Sequence, residues 1–69
     1  MKNIIEQLRK DKNLSQIELA KILSVSRQTI SSLETGRYNP SIELAFKIAR
    51  YFEKDIEEVF IYEENDHEK

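Results

Sequence analysis

Residues 15–37 read SQIELAKILSVSRQTISSLETGR, two short segments of helical apolar spacing joined by a three-residue break. Ser15 with Glu18 three positions on is the capping-box pattern that satisfies orphan amide donors at a helix start, so a helix is expected from about residue 16. Its inner face is Leu19, Ala20 and Leu23. The break SVS comes next, with Val25 turned to the core and Ser26 able to cap the second helix of the pair. That second helix is expected to run to Thr35, where Gly36 supplies the backbone freedom of a helix terminus.

The flanks extend the same pattern. NIIEQLRKDKN, residues 3–13, spaces Ile4, Ile5 and Leu8 as a first helix, with Leu14 packing beyond its end. RYNPS is a loop, because Pro40 disfavours helical geometry at Asn39, and Ser41 can cap a helix starting at Ile42. IELAFKIARYF, residues 42–52, places Leu44, Ala45, Ile48, Ala49 and Phe52 on one stripe of a fourth helix. Asp55 can cap a short fifth, IEEVF. The expectation is an all-α, five-helix domain over residues 1–62, with 63–69 an acidic tail whose composition reads as solvated and disordered.

The helix after the break is unusual in what it exposes. At about 100° per residue, Arg27, Gln28, Ser31, Ser32 and Thr35 share one arc, while Ile30 and Leu33 anchor the other, with Glu34 at its edge. A solvated face is ordinarily rich in Glu and Lys. This arc avoids the carboxylates that phosphate repels, and its Gln and Arg have forked ends able to pair with adenine and guanine edges. Composition alone leaves two readings open, a plain polar surface and a face that enters a nucleic-acid groove.

Length and composition narrow the classes. Sixty-nine residues make one small domain, which buries only about 60% of its unfolded surface. There is no cysteine, so stability must come from packing and self-association, and a reducing compartment fits. No apolar run approaches the roughly 20 residues of a membrane span, and a signal-peptide core is lacking, so a cytoplasmic location is expected. The net charge of −2 conceals an uneven distribution: residues 1–54 hold ten Lys/Arg and six Asp/Glu, residues 55–69 one Lys and seven Asp/Glu. The body is basic and the tail acidic.

A helix, a short break and a second helix with a polar outer arc are the ingredients of a helix-turn-helix, whose second helix lies in the major groove. LSQIELAKILSVSRQTISSLETGRYNPSIELAFKIARYF, residues 14–52, resembles the DNA-binding domain of the Xre/Cro family (Cro/CI-type) of phage and bacterial repressors. The similarity continues through DIEEVF and is specific at SQIELA, VSRQTIS and LETGRYNPS together. It implies a lambda-repressor-like fold, a short C-terminal strand paired near the N-terminus, and a stand-alone homodimeric repressor on nucleoid DNA.

Position by position, the resemblance makes Arg27, Gln28 and Ser32 base readers, with Ser31 beside them. It makes Gln16 a phosphate contact that also touches the recognition helix. Thr35, Arg37 and the amides of the GRYNP loop would grip further phosphates; Ser26 would cap the helix and reach the backbone. It also pairs Arg9 with Glu34 as a structural ion pair. Many members carry a larger polar residue where this chain has Ser31 or Ser32, which implies fewer or water-mediated base contacts.

Other residues carry two readings each. Tyr38 either bonds a phosphate through its hydroxyl or covers the loop. Val59, Phe60, Ile61 and Tyr62 are four successive apolar or aromatic residues of high β propensity. In the short members this region forms or supports the dimer interface, and the bland alternative is that Val59 and Phe60 finish the monomer core. Ile17 and Ile22 lie off the main stripe and are expected as partial core against the first or fourth helix.

No catalytic constellation can be placed: the sole histidine, His67, lies in the tail, and there is neither a cysteine nucleophile nor a glycine-rich phosphate loop. His67 with Asp66 and Glu68 lacks the supporting shell of a metal site. No enzyme, metal, cofactor, membrane or small-molecule substrate is expected. The partners expected are double-stranded DNA and a second copy of the chain; the alternative is a protein-interaction module, such as an antitoxin binding a toxin.

Overall fold

The computed structural model describes residues 1–63. The chain runs β1 (Lys2–Asn3), α1 (Ile5–Asp11), α2 (Gln16–Leu23), α3 (Arg27–Glu34), α4 (Ile42–Tyr51), α5 (Ile56–Val59) and β2 (Phe60–Ile61). β1 and β2 pair antiparallel, with Lys2 opposite Ile61 and Asn3 opposite Phe60. The five expected helices and the terminal strands are therefore present, and among the described residues no helix is long and apolar enough to cross a membrane.

Local chemistry explains the helix starts. Ser15 Oγ accepts from the Glu18 amide at 3.0 Å while the Glu18 carboxylate accepts from the Ser15 amide at 2.8 Å, the reciprocal capping box. Ser26 and Ser41 cap α3 and α4 by accepting from Thr29 N–H and Leu44 N–H at 3.1 Å each. At the start of α5, Glu58 accepts from the Asp55 amide at 2.8 Å. The first helix is shorter than expected, because Asn3 is drawn into β1, and the chain turns at Asn13, whose φ is +59°.

The core is contributed by every helix. Ile5, Leu19, Ile30, Leu33, Ile48 and Val59 are all completely or almost completely buried, and Leu14 and Val25 pack against them from the loops. Val59 and Phe60 complete this core, while Ile61 and Tyr62 are 40% and 60% exposed. Ile17 and Ile22 correct the expectation of partial core: both are exposed, because the inner face of α2 is fully supplied by Leu19, Ala20 and Leu23. The C-terminal end of α2 is closed by Lys47, whose Nζ donates to Leu23 O at 3.2 Å.

Of the segment read as an acidic tail, Glu63 is described and bridges to Lys2 at 3.0 Å. Residues 64–69, His67 included, lie outside the described residues.

Candidate nucleic-acid interface

The interface is built on α3 and the two segments that flank it. α2 and α3 are separated by Ser24–Ser26 only, and Ser24 takes a left-handed conformation (φ +61°, ψ +44°) that turns the chain sharply enough to bring the second helix back across the first. Ile30 and Leu33 fix α3 to the body. This anchoring turns Arg27, Gln28 and Thr35 outward into solvent, with Ser31 and Ser32 half-buried between them.

Polar contacts hold the inward edge of α3. Arg9 Nε donates to Glu34 Oε2 at 2.7 Å and its Nη2 to Oε1 at 3.3 Å, while Nη1 donates to Leu14 O at 2.8 Å. Gln16 Nε2 adds a bond to Glu34 Oε1 at 3.0 Å. The Glu34 hydrogen bond holds the Arg9 guanidinium above its ordinary pKa, against the opposing effect of burial. A carboxamide nitrogen carries two protons, so Gln16 retains one N–H after bonding Glu34.

The electrostatics of the helix ends separate α3 from its neighbours. α1, α2, α4 and α5 each carry an acid in the first turn, namely Glu6, Glu18, Glu43, and Glu57 with Glu58. α3 carries none. Its partial positive N-terminal end thus meets the Ser26 hydroxyl but no carboxylate in its first turn, an arrangement that suits an anionic group.

Loop residues complete the surface. Arg37 N–H and Tyr38 N–H both donate to Ser32 O, at 3.1 and 3.3 Å, which folds the GRYNP loop back against α3. Gly36 permits this with φ +82°, and a Cβ there would stand 3.3 Å from Met1 O. Tyr38 consequently lies beside Ser26, Gln28, Thr29 and Ser32 around a shallow groove of about 250 Å³. Arg37 is exposed, and among the described residues no side-chain hydrogen bond engages Arg27, Gln28 or Arg37.

Two hydroxyls are less available than the sequence suggests. Thr35 Oγ1 donates its single proton to Ser32 O at 3.1 Å, so in this rotamer it can only accept. Ser26 Oγ accepts from Thr29 N–H and shares a 2.9 Å bond with Thr29 Oγ1. Asn3 also contacts α3, a placement the sequence does not show because its spacing assigns it to the first helix. Its carboxamide touches the far end of α3, donating to Leu33 O at 2.8 Å. Its position two residues before Ile5, whose amide it accepts at 3.0 Å, is the one local signal that could have marked it as a cap.

A helix seated by two buried apolar residues across a three-residue turn, with its polar arc outward, defines a DNA-binding helix-turn-helix. The helix-turn-helix family model matches residues 5–59, and the chain belongs to that family, in its Xre-type branch of transcriptional regulators rather than among enzymes. It is 53% identical over 66 residues to an uncharacterized HTH-type transcriptional regulator of Methanocaldococcus jannaschii, covering 96% of this chain and all of that one. An uncharacterized HTH-type transcriptional regulator of Archaeoglobus fulgidus is 48% identical over 66 residues, 96% of this chain and 93% of that one. The fold is also similar to the crystal structure of the restriction-modification controller protein C.AhdI from Aeromonas hydrophila, with a TM-score of 0.70, 30% identity and 81% of each chain covered.

Proposed function

We propose that this regulator is a repressor that binds an inverted-repeat operator as a homodimer, with α3 of each protomer in the major groove. The observation that carries the reading is the carboxylate-free arc of α3, exposed at Arg27 and Gln28 and set on a helix whose opposite side is buried. Arg27 and Gln28 read base edges through their forked donors and acceptors, with Ser31 and Ser32 making shorter or water-mediated contacts. Gln16, Arg37 and Tyr38 hold phosphates, and the capped N-terminus of α3 adds its amides near Ser26. Thr35 joins them after rotation of its hydroxyl.

Ile61 and Tyr62 supply the dimer contact in this scheme, with Val59 and Phe60 supporting it from beneath. Two-fold symmetry then sets the recognition helices about 34–36 Å apart on successive major-groove faces. No cofactor enters the reading, and the protein acts in the cytoplasm, on the nucleoid.

The test is selection of bound duplexes from a random pool, with binding then measured at two salt concentrations. Recovery of an inverted repeat, with affinity that falls steeply as salt rises, is the expected result. Failure to enrich any sequence, together with salt-independent binding to a protein, would favour an interaction module such as an antitoxin.

A further inference from the structure

We infer that Asn3 is a positioning residue for DNA recognition, tying the C-terminal end of α3 to the terminal sheet. The inference rests on α3 being the recognition helix. One residue joins three elements: its carboxamide Nδ2 donates to Leu33 O of α3 at 2.8 Å, Oδ1 accepts from Ile5 N–H of α1 at 3.0 Å, and its backbone pairs with Phe60 of β2.

The carbonyl it holds belongs to the last turn of α3, where helix carbonyls lack intrahelical donors. Leu33 O accepts from Gly36 N–H at 3.0 Å as well, so Asn3 fixes the same atom that starts the Arg37-bearing loop. Leu33 stands six residues, about 9 Å of helix, from Arg27. A shift at this carbonyl therefore swings the reading end, and moves Arg37 with it.

Asparagine suits the place because it donates from one atom and accepts at the other. Serine keeps an acceptor for the Ile5 amide and has nothing that reaches Leu33. Aspartate keeps the shape and loses the donor. β2 also contains Ile61 and leads into Tyr62, so Asn3, 30 residues from Leu33 in sequence, relays the position of the C-terminal segment to the recognition helix.

Asn3→Ser and Asn3→Asp test this in the full chain. Each should weaken binding to a duplex recovered by selection about three- to tenfold, the most that the loss of one intramolecular hydrogen bond can contribute, and weaken binding to a scrambled duplex by less, through the shift of Arg37 alone. The helical signal of Asn3→Ser should persist, with the unfolding midpoint lowered by no more than the loss of one hydrogen bond accounts for. An equal loss on both duplexes would make Asn3 merely structural and overturn the inference.

Amide hydrogen exchange in the free protein gives a readout independent of DNA. The amides of Thr35, Gly36, Arg37 and Tyr38 should exchange faster in Asn3→Ser, with those of α4 unchanged. Unaltered protection at these four overturns the clamp. A parent that enriches no sequence overturns the reading of α3 itself, whatever the exchange shows.

Discussion

Arg9 and Glu34, 25 residues apart in sequence, meet in a two-point contact of 2.7 and 3.3 Å with their side chains 10% and 4% exposed. The pair fastens α1 to α3 from beneath. Such a pair is a weak source of net stability, since both charges are taken out of water, but removing one partner strands the other. Arg9→Met should cost about 3–5 kcal/mol, a large fraction of the stability that a 69-residue chain has at roughly 0.05–0.15 kcal/mol per residue. Arg9→Met with Glu34→Leu should recover at least half of that loss in urea unfolding. Additive losses would show that the two side chains are not coupled. Because the folded-state pKa of Arg9 is raised, its contribution is complete below the ordinary arginine value and lost only above it. Between pH 5 and 9 Arg9 should therefore add no slope to stability.

Much of the fold is legible because its decisive signals are local. Ser15, Ser26 and Ser41 each bond an amide three residues on, so their helices could be placed from spacing alone. The arc of α3 was equally readable, since Ile30 and Leu33 determine which side faces inward. Asn3 was not, because its meaning lies in a carbonyl 30 residues away. Ile17 and Ile22 misled for a related reason: apolar character does not say which apolar residues a small core has room for. In VFIY the β propensity was visible, but which residues point inward is set by the register of Asn3 against Phe60, and that register buries Val59 and Phe60 and leaves Ile61 outside.

The turn between α2 and α3 carries strain that substitution can remove. Ser24 is exposed and left-handed at φ +61°, a conformation costing about 1–2 kcal/mol for a residue with a Cβ. Ser24→Gly relieves it and returns part as unfolded-state entropy, about 0.5–1 kcal/mol. A net gain of about 0.5–1 kcal/mol should raise the melting temperature by roughly 2–8 °C in a domain of this size. Affinity for selected DNA should not change, because the turn keeps its shape. A lower melting temperature would mean that the hydroxymethyl group makes a compensating contact.

Gln28 and Arg37 should fail in different ways. Gln28→Ala should cost about 1–3 kcal/mol on the selected operator, relax its preference at one position, and hardly alter binding to random DNA. Arg37→Ala should weaken both duplexes alike and lower the salt slope by about one unit. Equal losses for Gln28→Ala would remove it from the base readers, and an unchanged slope for Arg37→Ala would remove it from the phosphate set.

The proposed dimer contact can be separated from the fold because its outer residues are not part of the core. Ile61 and Tyr62 are exposed in the protomer, whereas Val59 and Phe60 beneath them are buried. Ile61→Asp with Tyr62→Asp should therefore yield a monomer in sedimentation while the helical signal persists, the two carboxylates repelling their symmetry mates. Operator affinity should fall by about 10²–10⁴, the advantage that simultaneous engagement of two half-sites provides, while a single half-site duplex binds the variant as it binds the parent. A dimer that survives both substitutions would move the interface elsewhere, with the exposed Ile22 and Phe46, which line a groove of about 540 Å³ between α2 and α4, the next surface to mutate.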